Sequence, residues 1–193
     1  KEINVNEIMD IIKQDASIKD EAGLMKRLEK YFYLDKNLTP TQRIKNHLNL
    51  HDLITEETIV LKDSAASWED AIKIASKPLL KNGSITKDYI DAMLRKPFDP
   101  YIIISPQVAI PHAEPTQGVQ KLGMSLLRLK EGLYADPEHV VRVMVIVAAV
   151  DKKQHINALS QLVHLVSDSE KRNKLIQADS INEVTDLIHT VVH

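Results

Sequence analysis

Tyr101-Ile-Ile-Ile-Ser-Pro-Gln-Val-Ala-Ile-Pro-His-Ala-Glu-Pro115 carries the most informative pattern in the chain. A run rich in β-branched residues, Tyr101 to Ile104 and then Val108 to Ile110, stops at a histidine flanked by prolines. The composition is that of buried strand, while Pro111 and Pro115 forbid a helix or inner strand across the histidine. His112 therefore falls in a fixed, irregular turn at a strand end. Imidazole is substantially neutral near pH 7, so one ring nitrogen is nucleophilic while the other can be hydrogen-bonded to fix the tautomer. His112 is the candidate working group; a residue that merely caps a strand edge is the alternative.

The chain's 193 residues suffice for one domain of ordinary size with an appendage. Hydrophobic residues at 44% and charged residues at 27% are globular values. A net charge of -2 gives no basic field, so direct contact with nucleic acid is not expected of this chain. No apolar run is long enough to span a bilayer, so no membrane contact is expected either. The absence of cysteine excludes disulfides and thiol nucleophiles and fits a reducing, cytoplasmic location. The chain opens at Lys1 without a signal-peptide pattern and reads as a piece of something longer.

Residues 1–47 read as a helical linker or appendage. Val5, Ile8, Met9, Ile11 and Ile12 form one apolar stripe, and Leu24, Met25, Leu28, Tyr31 and Phe32 another. Two such helices must pack on the following domain or on a neighbour. Thr39-Pro-Thr41 reads as a further helix start, and His47 and His51 lie four apart without a third ligand, so a solvated face competes with metal binding.

Residues 48–193 read as an α/β domain, a mixed β-sheet flanked by helices. A short strand over Thr58–Leu61 precedes a helix capped by Ser67, with Asp70 at the reciprocal position and Asn82-Gly83 at its end. Thr86 opens a second helix through Tyr89 and Met93, stopped by Pro97. After the histidine loop, Lys121–Leu129 alternates as a strand, and Val140–Val150 is the best candidate for a central strand covered on both faces. A helix carrying Ile156, Leu159, Leu162, Val163 and Val166 follows, with His155 near its first turn. A short helix around Lys171–Ala178 and a final one opened by Ser180-Ile-Asn-Glu183 complete the chain. His164 reads as a surface or boundary residue, His139 as an accessory at most, and Trp68 as core; His189 and His193 lie near the chain end.

Two histidines thus follow strands, His112 and His155, and the strands could bring both to one sheet edge. Ligands of open α/β sheets collect there, and helix N-termini offer N–H groups to anions. Such a pair suits phosphoryl transfer: one imidazole attacks phosphorus, while the second and the helix N–H groups neutralise charge on the oxygens. No cofactor or metal is then required. The chain has no His-Glu-x-x-His run, no Gly-x-x-x-x-Gly-Lys loop and no Gly-x-Ser-x-Gly elbow, which argues against hydrolytic metal chemistry, direct ATP use and a serine triad.

Val108-Ala-Ile-Pro-His-Ala113, Gly118-Val-Gln-Lys-Leu-Gly-Met-Ser-Leu126 and Val147-Ala-Ala-Val-Asp-Lys-Lys-Gln-His155, in this order, resemble the enzyme IIA component of the sugar phosphotransferase system. The likeness is to the mannitol/fructose type, in its ascorbate- and galactitol-like branch. It runs from about Leu48 to the end and includes Ser67-Trp-Glu-Asp-Ala-Ile72 and Tyr89-Ile-Asp-Ala-Met93. The resemblance implies that His112 accepts phosphate from phospho-HPr and passes it to a IIB partner. His155 matches the second active-site histidine, and the usual arginine falls at Arg95 or Lys96. Glu114 stands where close relatives often carry arginine; a carboxylate there would repel phosphate if it faced inward. Residues 1–47 resemble the linker that precedes IIA-like domains in sugar-responsive transcription regulators and antiterminators. The expected role is therefore a phosphorylated regulatory domain next to further regulatory domains, with a transport enzyme IIA as the alternative.

Overall fold

The computed structural model describes Ile12, Lys13, Leu24 and residues 48–151 and 154–192. Ile12, Lys13 and Leu24 are helical, and Ile12 and Leu24 are buried in the main core cluster. The rest of the expected N-terminal stripes, the helix start at Thr39 and His47 lie outside the described residues.

From residue 48 onward the elements are α1 (Leu50–Leu53), β1 (Ile59–Lys62), α2 (Trp68–Lys81), α3 (Lys87–Leu94), β2 (Ile103–Ser105) and β3 (Val108–Ala109), then β4 (Gly123–Asp136), β5 (His139–Ala148), α4 (Ile156–Ser167), α5 (Ser169–Gln177) and α6 (Ile181–His189). The five strands form one mixed sheet in the order β1-β4-β5-β3-β2. β1 is parallel to β4 and β3 to β5, while β4 with β5 and β2 with β3 are antiparallel. As read from its β-branched run, β5 is the middle strand.

Alternation along the central strands sorts the core into two layers. Met124, Leu126, Val143 and Val145 share a cluster with the apolar residues of α1, α4, α5 and α6. Leu127, Leu129, Met144 and Ile146 share the other with α2 and α3. Because both faces are covered, Gly123 to Leu129 is buried throughout, and the apolar–polar alternation expected of a one-sided strand is absent.

Caps form where short polar residues precede apolar periodicity. Ser67 accepts from the Asp70 N–H at 3.0 Å, and Ser180 from the Glu183 N–H at 3.2 Å. The reciprocal carboxylates reach one residue further back, to the N–H groups of Ala66 and Asp179. Gly83, at φ 78°, ends α2 as expected. Thr86 departs from expectation: its hydroxyl is directed to the Gly118 carbonyl, 3.3 Å away, and fastens α3 to the loop after His112.

The stretch from Tyr101 to Ile110 is corrected. It is not one strand but a 3-10 turn followed by the hairpin of β2 and β3, reversed at Pro106-Gln107. Gln107 takes φ 68°, where its carbonyl accepts from the Arg142 and Val143 N–H groups and its side chain accepts from the Arg142 guanidinium. Tyr101, expected inside, is 59% exposed.

Candidate functional site

Parallel pairing of β3 with β5 puts the carboxyl ends of both strands at one edge of the sheet. His112 follows the end of β3, and His155 is the N-cap residue of α4, which follows β5. The topology thus brings to one edge the two histidines that the sequence placed after separate strands.

His112 is half-buried, with Nδ1 shut off from solvent. Pro111 ahead of it is buried, and Ala113 behind it is 4% exposed. Glu114 next in line is exposed, and its N–H is taken by Gln117 Oε1 at 2.9 Å. The carboxylate that could have opposed an anion therefore sits on a solvated turn, where water screens it.

His155 is 1% exposed, and its Nδ1 has no hydrogen-bond partner among the described residues. Burial drives its pKa down from 6.5 to about 4, against a smaller upward pull from Asp151. The ring is therefore neutral at pH 7. An anion placed there would meet a hydrogen-bonding imidazole, and the standing positive potential would come from the first free N–H groups of α4. Asp151 braces the approach to that helix through Gln154, whose N–H and Nε2 reach its two carboxylate oxygens at 2.9 and 2.8 Å.

Arg95 and Lys96 lie in different surroundings. Arg95, exposed at the end of α3, lines a groove of about 520 Å³ between Thr86 and Asp88 on one side and residues 115–120 on the other. Lys96 is exposed and is not among the residues lining the groove. Gly118 makes the close approach possible. At φ 138°, a Cβ on it would lie 2.3 Å from Thr86 Oγ1 and 2.7 Å from the Tyr89 nitrogen.

One residue of the site went unread in the sequence. Tyr89 counted there as part of a helix and of a stretch that carries the family resemblance, with no role of its own, yet its hydroxyl lies within 3.4 Å of both Ala113 and Val147. The available signal was chemical, since a buried tyrosine needs a partner for its O–H.

The other histidines lie elsewhere. His139 opens β5, at the opposite end of that strand from the α4 side, and binds Asp136 at 2.7 Å. His164 is half-buried on α4, as a boundary residue should be. His51 stacks on His189 with centroids 4.7 Å apart, and His193 lies outside the described residues. Trp68 is half-buried, edge-on to Phe98. Among the described residues, no three His, Asp or Glu side chains gather as a metal site would require. Nor is any described helix long and apolar enough to cross a membrane.

A family model for the phosphoenolpyruvate-dependent sugar phosphotransferase system, EIIA 2, matches residues 52–191. The chain belongs to this enzyme IIA family. The mannitol-specific cryptic phosphotransferase enzyme IIA component of Escherichia coli (strain K12) is 33% identical over 144 residues, 73% of this chain and 98% of its own length. The ascorbate-specific EIIA component of the same strain is 34% identical over 147 residues, 73% of this chain and 96% of its own length. Among solved structures, that of the Escherichia coli mannitol-specific cryptic enzyme IIA covers 74% of this chain and 99% of its own, with a TM-score of 0.65 and 32% identity. The enzyme IIA of the Escherichia coli mannitol system, solved in complex with its phosphorylated enzyme IIB, matches 72% of this chain and 99% of its own, with a TM-score of 0.57 and 25% identity. These likenesses place the mixed, helix-flanked sheet in the enzyme IIA fold and the chain in a phosphoryl-relay family.

Proposed function

We propose that His112 is the phosphoryl acceptor of this enzyme IIA domain, charged by phospho-HPr. The observation that carries the reading is the common edge: His112 and His155 follow neighbouring parallel strands, with the N-terminus of α4 beside His155. With Nδ1 out of solvent, Nε2 is the nitrogen that meets the donor. The P–N bond to Nε2 forms as the donor's P–N bond breaks, and the donor histidine leaves as imidazole. His155 and the α4 N–H groups hold the oxygens of the phosphoryl group, and Arg95, rather than Lys96, supplies the cation from the groove wall.

The phosphate then passes to a IIB partner in a transport relay. The two named relatives are components of mannitol and ascorbate systems, which favours this reading. A second reading makes phosphate on His112 a signal to residues 1–47, as linker, and to regulatory domains joined to them. It is favoured by the burial of Ile12 and Leu24 in the same cluster as α4.

The test is intact mass after incubation with phosphoenolpyruvate, enzyme I and HPr. One acid-labile phosphate on the parent and none on His112→Ala is the expected result; phosphate on both, or on neither beside an active HPr, overturns it. Discharge on adding candidate IIB proteins separates relay from signal.

A further inference from the structure

We propose that the Tyr89 hydroxyl is a positioning group for phosphoryl transfer, setting the His112 loop against the strand that leads to His155. The proposal rests on the reading of His112 as acceptor. Continuing the register in which Val108 pairs with Val143 and Ala109 with Met144 would set His112 opposite Val147. The ladder nevertheless stops, because Pro111 has no N–H to offer. In its place Tyr89, 2% exposed, reaches from α3 with its hydroxyl 3.2 Å from the Val147 carbonyl oxygen. The Tyr89 hydroxyl oxygen also lies 3.4 Å from both the nitrogen and the carbonyl oxygen of Ala113.

A phenol has one proton to give and lone pairs to receive. The pattern that satisfies most groups at once has Tyr89 donating to Val147 and accepting from the Ala113 N–H. A rigid ring anchored in the second core cluster thus fixes the peptide next to His112. The gap between the loop and β5 is set by a side chain instead of by a direct backbone bond. Transfer between two imidazoles requires in-line approach, and small displacements of the acceptor are costly in rate. Phenylalanine keeps the ring and its packing but withdraws these bonds.

The experiment compares parent, Tyr89→Phe, His112→Ala and Val184→Ala. The last is a core variant in α6, outside the site, that controls for lost stability. Tyr89→Phe should lower the maximal rate of phosphorylation by phospho-HPr at least tenfold with KM changed less than threefold, whereas Val184→Ala, read well below its melting temperature, should keep the parent rate. The ¹⁵N shifts of the His112 ring, recorded without phosphate, should move in Tyr89→Phe and stay put in Val184→Ala. A parent-like rate together with parent-like ring shifts in Tyr89→Phe overturns the proposal, as does an equal loss in Val184→Ala. If the parent takes up no phosphate on His112, the acceptor reading fails by itself. The ring shifts then decide whether Tyr89 positions His112: a shift supports it, and unmoved signals overturn it.

Discussion

Arg128 Nη1 donates to the Ala178 carbonyl at 2.8 Å, beneath the end of α5. The same nitrogen reaches the Ile176 carbonyl at 3.0 Å, and the side chain is 5% exposed. A guanidinium on a central strand is thus partly compensated by the negative end of a helix. Arg128→Ala leaves two buried carbonyls bare and should cost about 2–4 kcal/mol by urea denaturation, with Lys restoring part of it. A loss below about 0.5 kcal/mol would mean that water reaches these carbonyls.

Site and stability are joined at His155. Its folded pKa of about 4 lies below the ordinary 6.5, so the unfolded chain binds the proton first as pH falls. The contribution is complete above pH 6.5 and is lost as pH drops toward 4, by roughly 3 kcal/mol at most. Urea midpoints at pH 7 and pH 4.5 should therefore differ less in His155→Gln than in the parent. Equal differences in the two proteins would refute the buried neutral ring.

Gly118 supports the loop by having no side chain. Gly118→Ala forces a methyl against Thr86 and the Tyr89 backbone at a strained φ and should destabilise by about 2–3 kcal/mol. Thermal unfolding reads the loss, and a shift below 1 °C would show that the loop and α3 separate easily.

In the groove, Arg95→Ala should slow phosphoryl transfer about tenfold or more, whereas Lys96→Ala should stay within twofold of the parent. Single-turnover rates with phospho-HPr distinguish them. Equal effects would assign the cation to the general field of the surface.

Features encoded locally were legible before the fold was known. Ser67 and Ser180 announced their helices because a cap is a contact within one turn, and β5 announced its place because strands covered on both faces carry β-branched runs. His112 was marked by its prolines. What stayed hidden depends on partners distant in the chain. The β2–β3 hairpin turns through Gln107, a non-glycine at positive φ held by Arg142; Ser105-Pro106 signals a turn, but nothing local marks Gln107 for that conformation. Tyr89 and Arg128 acquire their roles only when Val147 and Ala178 come alongside.

The pairing of strands also dictates an order of assembly. β4 and β5 adjoin in sequence and form an antiparallel hairpin, whereas β1 and β3 must each cross a long intervening stretch to lie parallel to it. Loop-closure entropy favours the hairpin as the first element, with the outer strands docking afterwards. Pulse-labelled hydrogen exchange during refolding should protect Val145 before Val60 and Ala109. His112 and His155 come to one edge only once β3 has joined β5, so on the proposed role of His112 a chain caught halfway through folding should take up no phosphate from its donor.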